Sequence, residues 1–163
     1  SNGVDTSLVS FIRYRPNLLF DFNPENYAFP TPRSWYFVDK RLKLPNVGEE
    51  TLFYGVSSLV GDGPAGEYIA FREIYSSLPD IDALIDNPKT YKSDDNPAVL
   101  YALSGALAAR ACDEKMENII KVIKKMPTEF QVISIKSSLT KDKSLLQHNA
   151  IDQWLSHNSN VIL

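Results

Sequence analysis

The sequence predicts an all-α fold, an irregular multi-helix bundle with little or no β-sheet. Three observations predict it. Apolar side chains recur at i, i+3, i+4 and i+7 through most of the chain, the period of a helix with one buried face. Prolines stand directly after capping residues, at Thr31-Pro32 and Asn96-Pro97, as they do where helices begin. The segment that also fits strand alternation, Phe130, Val132, Ser134 and Lys136, would find no partner strand, so it too is assigned to a helix.

In order along the chain, Thr6 can cap a first helix carrying Leu8, Val9, Phe11 and Ile12, ended or bent by Pro16. Asn17 to Pro30 reads as a loop whose Leu18, Leu19, Phe20, Phe22, Tyr27 and Phe29 are expected to pack down on the helices. Thr31 and Pro32 start a second helix, with Trp35, Val38 and Leu42 on one face, ended by Lys43-Leu44-Pro45-Asn46. A third runs from about Glu49 to Val60 with Leu52, Val56, Leu59 and Val60 as its stripe. After a turn at Gly61-Asp62-Gly63, Pro64 opens a fourth, with Tyr68, Phe71, Tyr75 and Leu78 inward. Asp80 caps a short helix through Ala83, Leu84 and Ile85, stopped by Asn87-Pro88. Asn96-Pro97 opens a helix with Val99, Leu100, Leu103 and Leu107, and Met116, Ile119, Ile120 and Ile123 mark the next. Pro127-Thr128-Glu129 opens the ambiguous segment read as helix, and Trp154 anchors a last one around Ala150 to Leu155. The expected organisation is one helical domain over residues 4–140, with residues 141–163 as a helical extension of it.

Composition narrows the function classes. A net charge of −3 with interspersed signs excludes an extended basic footprint; the densest cluster, Lys121, Lys124 and Lys125, reads as a solvated helix face, so no nucleic-acid partner is expected. The longest apolar stretch, Val99 to Cys112, is too short and interrupted to span a membrane, and Ser1-Asn2-Gly3 lacks the basic-then-apolar pattern of a secretory leader. The single cysteine, Cys112, cannot form an internal bridge and is expected to be a buried thiol in a cytoplasmic protein.

The chain also lacks the usual chemistry. There is no Gly-x-x-x-x-Gly-Lys-Ser/Thr; Gly61 to Gly66 is glycine-rich but has no lysine and follows no strand. His148 and His157 are isolated, no zinc spacing occurs, and Asp80, Asp82, Asp86, Asp94 and Asp95 read as capping carboxylates. No catalytic residue and no metal site is expected within this chain.

One residue is out of place. Arg33 falls in the first turn of a helix, where the dipole disfavours a cation by roughly 0.3–1 kcal/mol. Either it pairs with a local carboxylate or points into water, or it serves an anion. A guanidinium beside a helix start suits a phosphate.

Four segments in order, Phe29-Pro30-Thr31-Pro32-Arg33-Ser34-Trp35, Gly66-Glu67-Tyr68-Ile69-Ala70-Phe71, Leu78-Pro79-Asp80 and Pro127-Thr128-Glu129-Phe130, resemble the C-terminal helical lid of MoxR-like AAA+ ATPases of the phage and bacterial type. The resemblance extends over roughly residues 8 to 155. It implies an AAA+ lid-like bundle with extra helices, and it implies that Arg33 is the sensor 2 arginine. ATP and Mg would be bound only through an N-terminal P-loop core that this chain does not contain; the P-loop lysine, Walker B acid, sensor 1 and arginine finger belong to that core. The implied partners are this core, further copies in a ring, and a protein substrate or adaptor. The competing reading is a helical protein-interaction module without a nucleotide role, supported by the aromatic loop Phe20 to Phe29.

Overall fold

A computed structural model describes residues 3–45 and 48–158. Among these, every regular element is helical: α1 (Thr6–Tyr14), α2 (Pro32–Leu42), α3 (Glu49–Val60), α4 (Asp62–Ser76), α5 (Ile81–Asp86), α6 (Pro97–Ala109), α7 (Asp113–Ile123), α8 (Thr128–Lys141) and α9 (Asn149–His157), with short 3-10 turns at Pro16–Leu19, Pro88–Thr90 and Lys143–Gln147. The protein is an all-α multi-helix bundle. The chain forms two compact units, Ser1–Ser76 and Ser77–Leu163.

In the first unit α2 packs on α3, α3 on α4 and α1 on α4. Its core is aromatic. The Phe11 ring lies 5.7 Å from Trp35, 5.3 Å from Tyr68 and 5.6 Å from Phe71, and all four side chains are buried. Such tilted and edge-on pairs match the positive ring edge of one to the negative face of another. The two polar handles are satisfied: Trp35 Nε1–H donates to the Leu18 carbonyl at 2.6 Å, and the Tyr68 hydroxyl lies 3.1 Å from Ser7 Oγ. Burial, above all, pushes the Tyr68 phenol well above its ordinary value.

A polar pin ties the segment before α1 to α2. Asp39 is only 2% exposed. Its Oδ1 accepts the Asp5 amide at 2.7 Å and its Oδ2 meets Lys43 Nζ at 2.6 Å. Burial pushes the carboxyl up. The Lys43 ammonium, the Asp5 amide and the charge of Lys40 outweigh it and hold Asp39 below the ordinary carboxylate range. A deliberately small residue serves packing nearby: a Cβ on Gly55 would collide with the Arg41 side chain, which crosses α3 there and donates to the Thr51 carbonyl at 3.2 Å.

The second unit is aliphatic and close-packed. α6 carries Ala98, Ala102, Gly105 and Ala106 and lies against α8, whose buried Ser134, Ser137 and Ser138 return their hydroxyls to carbonyls one turn back. That back-bonding lets serine sit in a core without an orphaned donor. α5 packs on α7, and α7 on α9. Residues 141 to 158 are part of this unit: Ile151 and Trp154 are buried, and Trp154 Nε1–H donates to Gln131 Oε1 at 2.8 Å. Asp82 links Arg110 (3.1 Å) and Lys115 (2.6 Å).

Several expectations need correction. Asp5, not Thr6, caps α1, because its carboxylate reaches the Ser7 and Leu8 amides. The expected turn at Gly61-Asp62-Gly63 shrinks to Gly61, whose φ of +88° makes the reversal alone. α4 then begins at Asp62, and Pro64 is tolerated in its first turn, where no intrahelical amide bond is lost. The loop does not pack down as a whole. Leu18 is buried, but Leu19, Phe20, Phe22 and Tyr27 are exposed; Phe22 meets Phe29 edge-on at 5.0 Å instead of entering the core. Cys112 is half-buried, because it occupies the extended cap position before α7. Asn46, placed at the end of the second helix, lies outside the described residues.

Two expected outcomes follow from this packing. Trp35→Phe keeps a ring but orphans the Leu18 carbonyl, so urea unfolding followed by far-UV circular dichroism should show a loss of about 1–3 kcal/mol, whereas Trp35→Ala should cost about 3–5 kcal/mol. Asp39 has a lowered pKa when folded, so its contribution is present above the unfolded value of about 3.9 and is lost as pH falls through the lower folded value. Asp39→Asn should lower stability at pH 7 and flatten the decline seen below about pH 4; an unchanged acid limb in equilibrium unfolding would show that the pin contributes nothing.

Candidate functional site

The start of α2 is built by a reciprocal cap. The Ser34 amide donates to Thr31 Oγ1 at 2.9 Å, and the Thr31 amide donates to Ser34 Oγ at 2.8 Å. This is a capping box with serine in place of the usual acid. Pro32 at the first helical position has no amide hydrogen to satisfy, and the Trp35 amide already donates to the Thr31 carbonyl at 3.0 Å. Within this turn the Arg33 amide is left with no acceptor among the described residues.

The Arg33 side chain is exposed, and no hydrogen bond or ion pair holds it among the described residues. No acidic residue lies in the first turn, while Lys40 and Arg41 occupy the last. A cation therefore stands at the positive end of the helix dipole, with a donor amide beside it and no counter-charge. The backbone beneath it is fixed from three sides: by the cap, by Pro32, and by Trp35, buried two residues on. This arrangement can bind one oxyanion. It supplies no nucleophile, no general base and no metal ligand.

A cleft of about 800 Å³ opens nearby in the same unit, between the 21–30 loop and the α3–α4 junction. Its walls include Asp21, Asn23, Asn26, Tyr27, Ser58 and Asp62, and neither Arg33 nor any lysine or arginine. Two carboxylates without a cation repel phosphate, so this cleft is not the place where Arg33 would meet an anion.

Some of the other residues weighed from sequence cap helix starts or turns. Asp80 caps α5 by accepting the Asp82 and Ala83 amides, and Asp94 accepts the Asn96 amide. His148 caps α9, its Nδ1 accepting the Ala150 amide at 3.1 Å, and His157 is exposed near the end of the same helix. Among the described residues no three His, Cys, Asp or Glu side chains converge as metal ligands, and no helix is long and apolar enough to cross a membrane. Sequence reasoning did not single out the Asp39–Lys43 pin, although its i, i+4 spacing was a usable signal. The chain matches no family model, and neither a curated protein nor a solved structure is similar to it.

The cap is testable by itself. Thr31→Ala should destabilise the protein by about 1 kcal/mol, read as a lower urea midpoint at unchanged slope; Ser34→Ala should behave likewise, because each hydroxyl serves the other's amide.

Proposed function

We propose that this chain is the C-terminal lid domain of a MoxR-like AAA+ ATPase and that Arg33 is its sensor 2 arginine. The observation that supports this reading is an exposed cation on a helix start whose backbone is fixed by a capping box and Pro32, with no ion pair among the described residues. The resemblance of the ordered motifs from Phe29 to Phe130 implies the anion, a nucleotide phosphate held by a P-loop core.

Arg33 and its amide fit one phosphate contact. In this reading the bound nucleotide supplies the cleavable phosphoanhydride, and the core supplies the magnesium site and the groups that cleave it. The part played by this chain is electrostatic. The Arg33 guanidinium stabilises phosphate charge in a site with little competing water. When that charge departs, α2 loses a tether to the core, and the lid is free to move. In a ring of such subunits the motion passes to neighbours and to a protein substrate or adaptor. A cytoplasmic setting is consistent with a single unbridged cysteine.

A second reading, a protein-interaction module without nucleotide, is favoured by one observation: Phe20, Phe22 and Tyr27 are exposed on the loop before α2.

The parent protein separates the two. With a P-loop core present, Arg33→Ala should reduce ATP turnover by about 10²-fold or more while leaving the circular dichroism and urea midpoint unchanged; turnover equal to the unsubstituted protein would remove Arg33 from the mechanism. The isolated domain should hydrolyse no ATP.

A further inference from the structure

The outward face of α2 is unusual for a solvent-facing helix surface. Trp35, Val38 and Asp39 point inward and are buried. On the opposite side Arg33, Tyr36, Phe37 and Lys40 follow one another at i, i+3, i+4 and i+7, and Leu44 continues the stripe just past the helix. Tyr36 is 52% exposed, Phe37 45% and Leu44 54%. The two rings meet edge-on at 5.7 Å, and Lys40 Nζ sits 5.1 Å from the Tyr36 ring centre. The single carboxylate of α2 is Asp39, and it is buried, so α2 itself contributes cations and no acid to this surface.

Exposed aromatics at helical spacing cost solvation and are found where something covers them. Tyrosine and arginine are also the residue types that dominate binding energy at protein interfaces. The sign of the charges selects the partner. Cations stand at both ends of the aromatic pair, which repels a basic segment and favours carboxylates around an apolar ridge. The Lys40 ammonium over Tyr36 holds that ring in place, so little side-chain freedom remains to be lost on binding.

We infer that this face of α2 docks an acidic amphipathic segment of a partner protein: Tyr36 and Phe37 bury its apolar ridge, and Arg33 and Lys40 meet its carboxylates. The inference goes beyond the nucleotide reading and does not rest on it: where Arg33 meets a phosphate, Tyr36, Phe37 and Lys40 still form the face, and Lys40 alone meets the carboxylates.

The test uses a synthetic amphipathic peptide with leucine along one helical face and glutamate elsewhere, a counterpart with lysine replacing every glutamate, and vesicles containing phosphatidylserine. Binding to the ¹⁵N-labelled protein is followed by amide chemical shifts at low salt. The glutamate peptide should shift amides of residues 33–44, and the lysine peptide should not. Tyr36→Ser with Phe37→Ser should weaken the glutamate peptide about tenfold or more, and Lys40→Glu alone should also weaken it. Raising the salt should do the same by screening. Tyr36 and Phe37 are exposed, so the urea midpoint of the double variant should match the unsubstituted protein; Lys40→Glu, which loses the charge that helps hold Asp39 ionised, should lower the midpoint yet leave the protein folded in water, and it keeps the test valid if the double variant fails to fold. No binding of the glutamate peptide, equal binding of both peptides, or shifts confined to Phe20–Tyr27 would overturn the inference. So would capture by the vesicles without binding of the glutamate peptide, which would make the face a membrane-binding one.

Discussion

A buried indole nitrogen needs an acceptor, and Trp35 finds it in the carbonyl of Leu18. That bond joins the aromatic cluster to the chain before α2. It fixes which side of α2 is inside and where the 20–30 loop must leave the core. Two residues along a helix is roughly half a turn of azimuth, about 200°. With Trp35 turned inward, Arg33 and Phe37 are therefore both turned outward. The exposure of the arginine and that of the aromatic stripe have one cause.

The Asp39 pin acts on the same helix from its other end. A carboxylate with little access to solvent is tolerable because an amide from the N-terminal segment and an ammonium from the next helical turn both meet it. α2 is thus anchored at its start by a reciprocal hydroxyl cap and at its end by a charged one. The face between them is presented on a helix with little freedom to roll.

Helix starts were the most legible part of this fold, because cap and proline are local signals. Thr31-Pro32 and Asn96-Pro97 open helices as read, and the 128–136 segment is helical, with no strand among the described residues. Two starts were misplaced by one or two residues, α1 at its cap and α4 at Pro64; the other misreadings were matters of burial that local signals do not encode. Aromatics between Phe20 and Tyr27 were expected to be covered, yet Phe22 is occupied by a neighbour in its own loop. Asp39 sits in a polar stretch and becomes buried only through a residue 34 positions earlier. For the site, the anomaly of a cation at a helix start could be read from sequence. The lack of a partner for it among the described residues could not, since that depends on what the fold brings near. The cleft was equally hidden: its walls come from a loop and from a helix junction more than 30 residues later.

The two units differ in the chemistry of their cores, one built on rings and the other on small aliphatic contacts and self-bonded serines. Each nonetheless contains one buried tryptophan, Trp35 in the first and Trp154 in the second. One indole donates to a backbone carbonyl, the other to a glutamine side chain. The chain thereby carries two native fluorophores in separate solvent-shielded settings. Replacing either leaves a single emitter that reports on one unit alone, without any attached label.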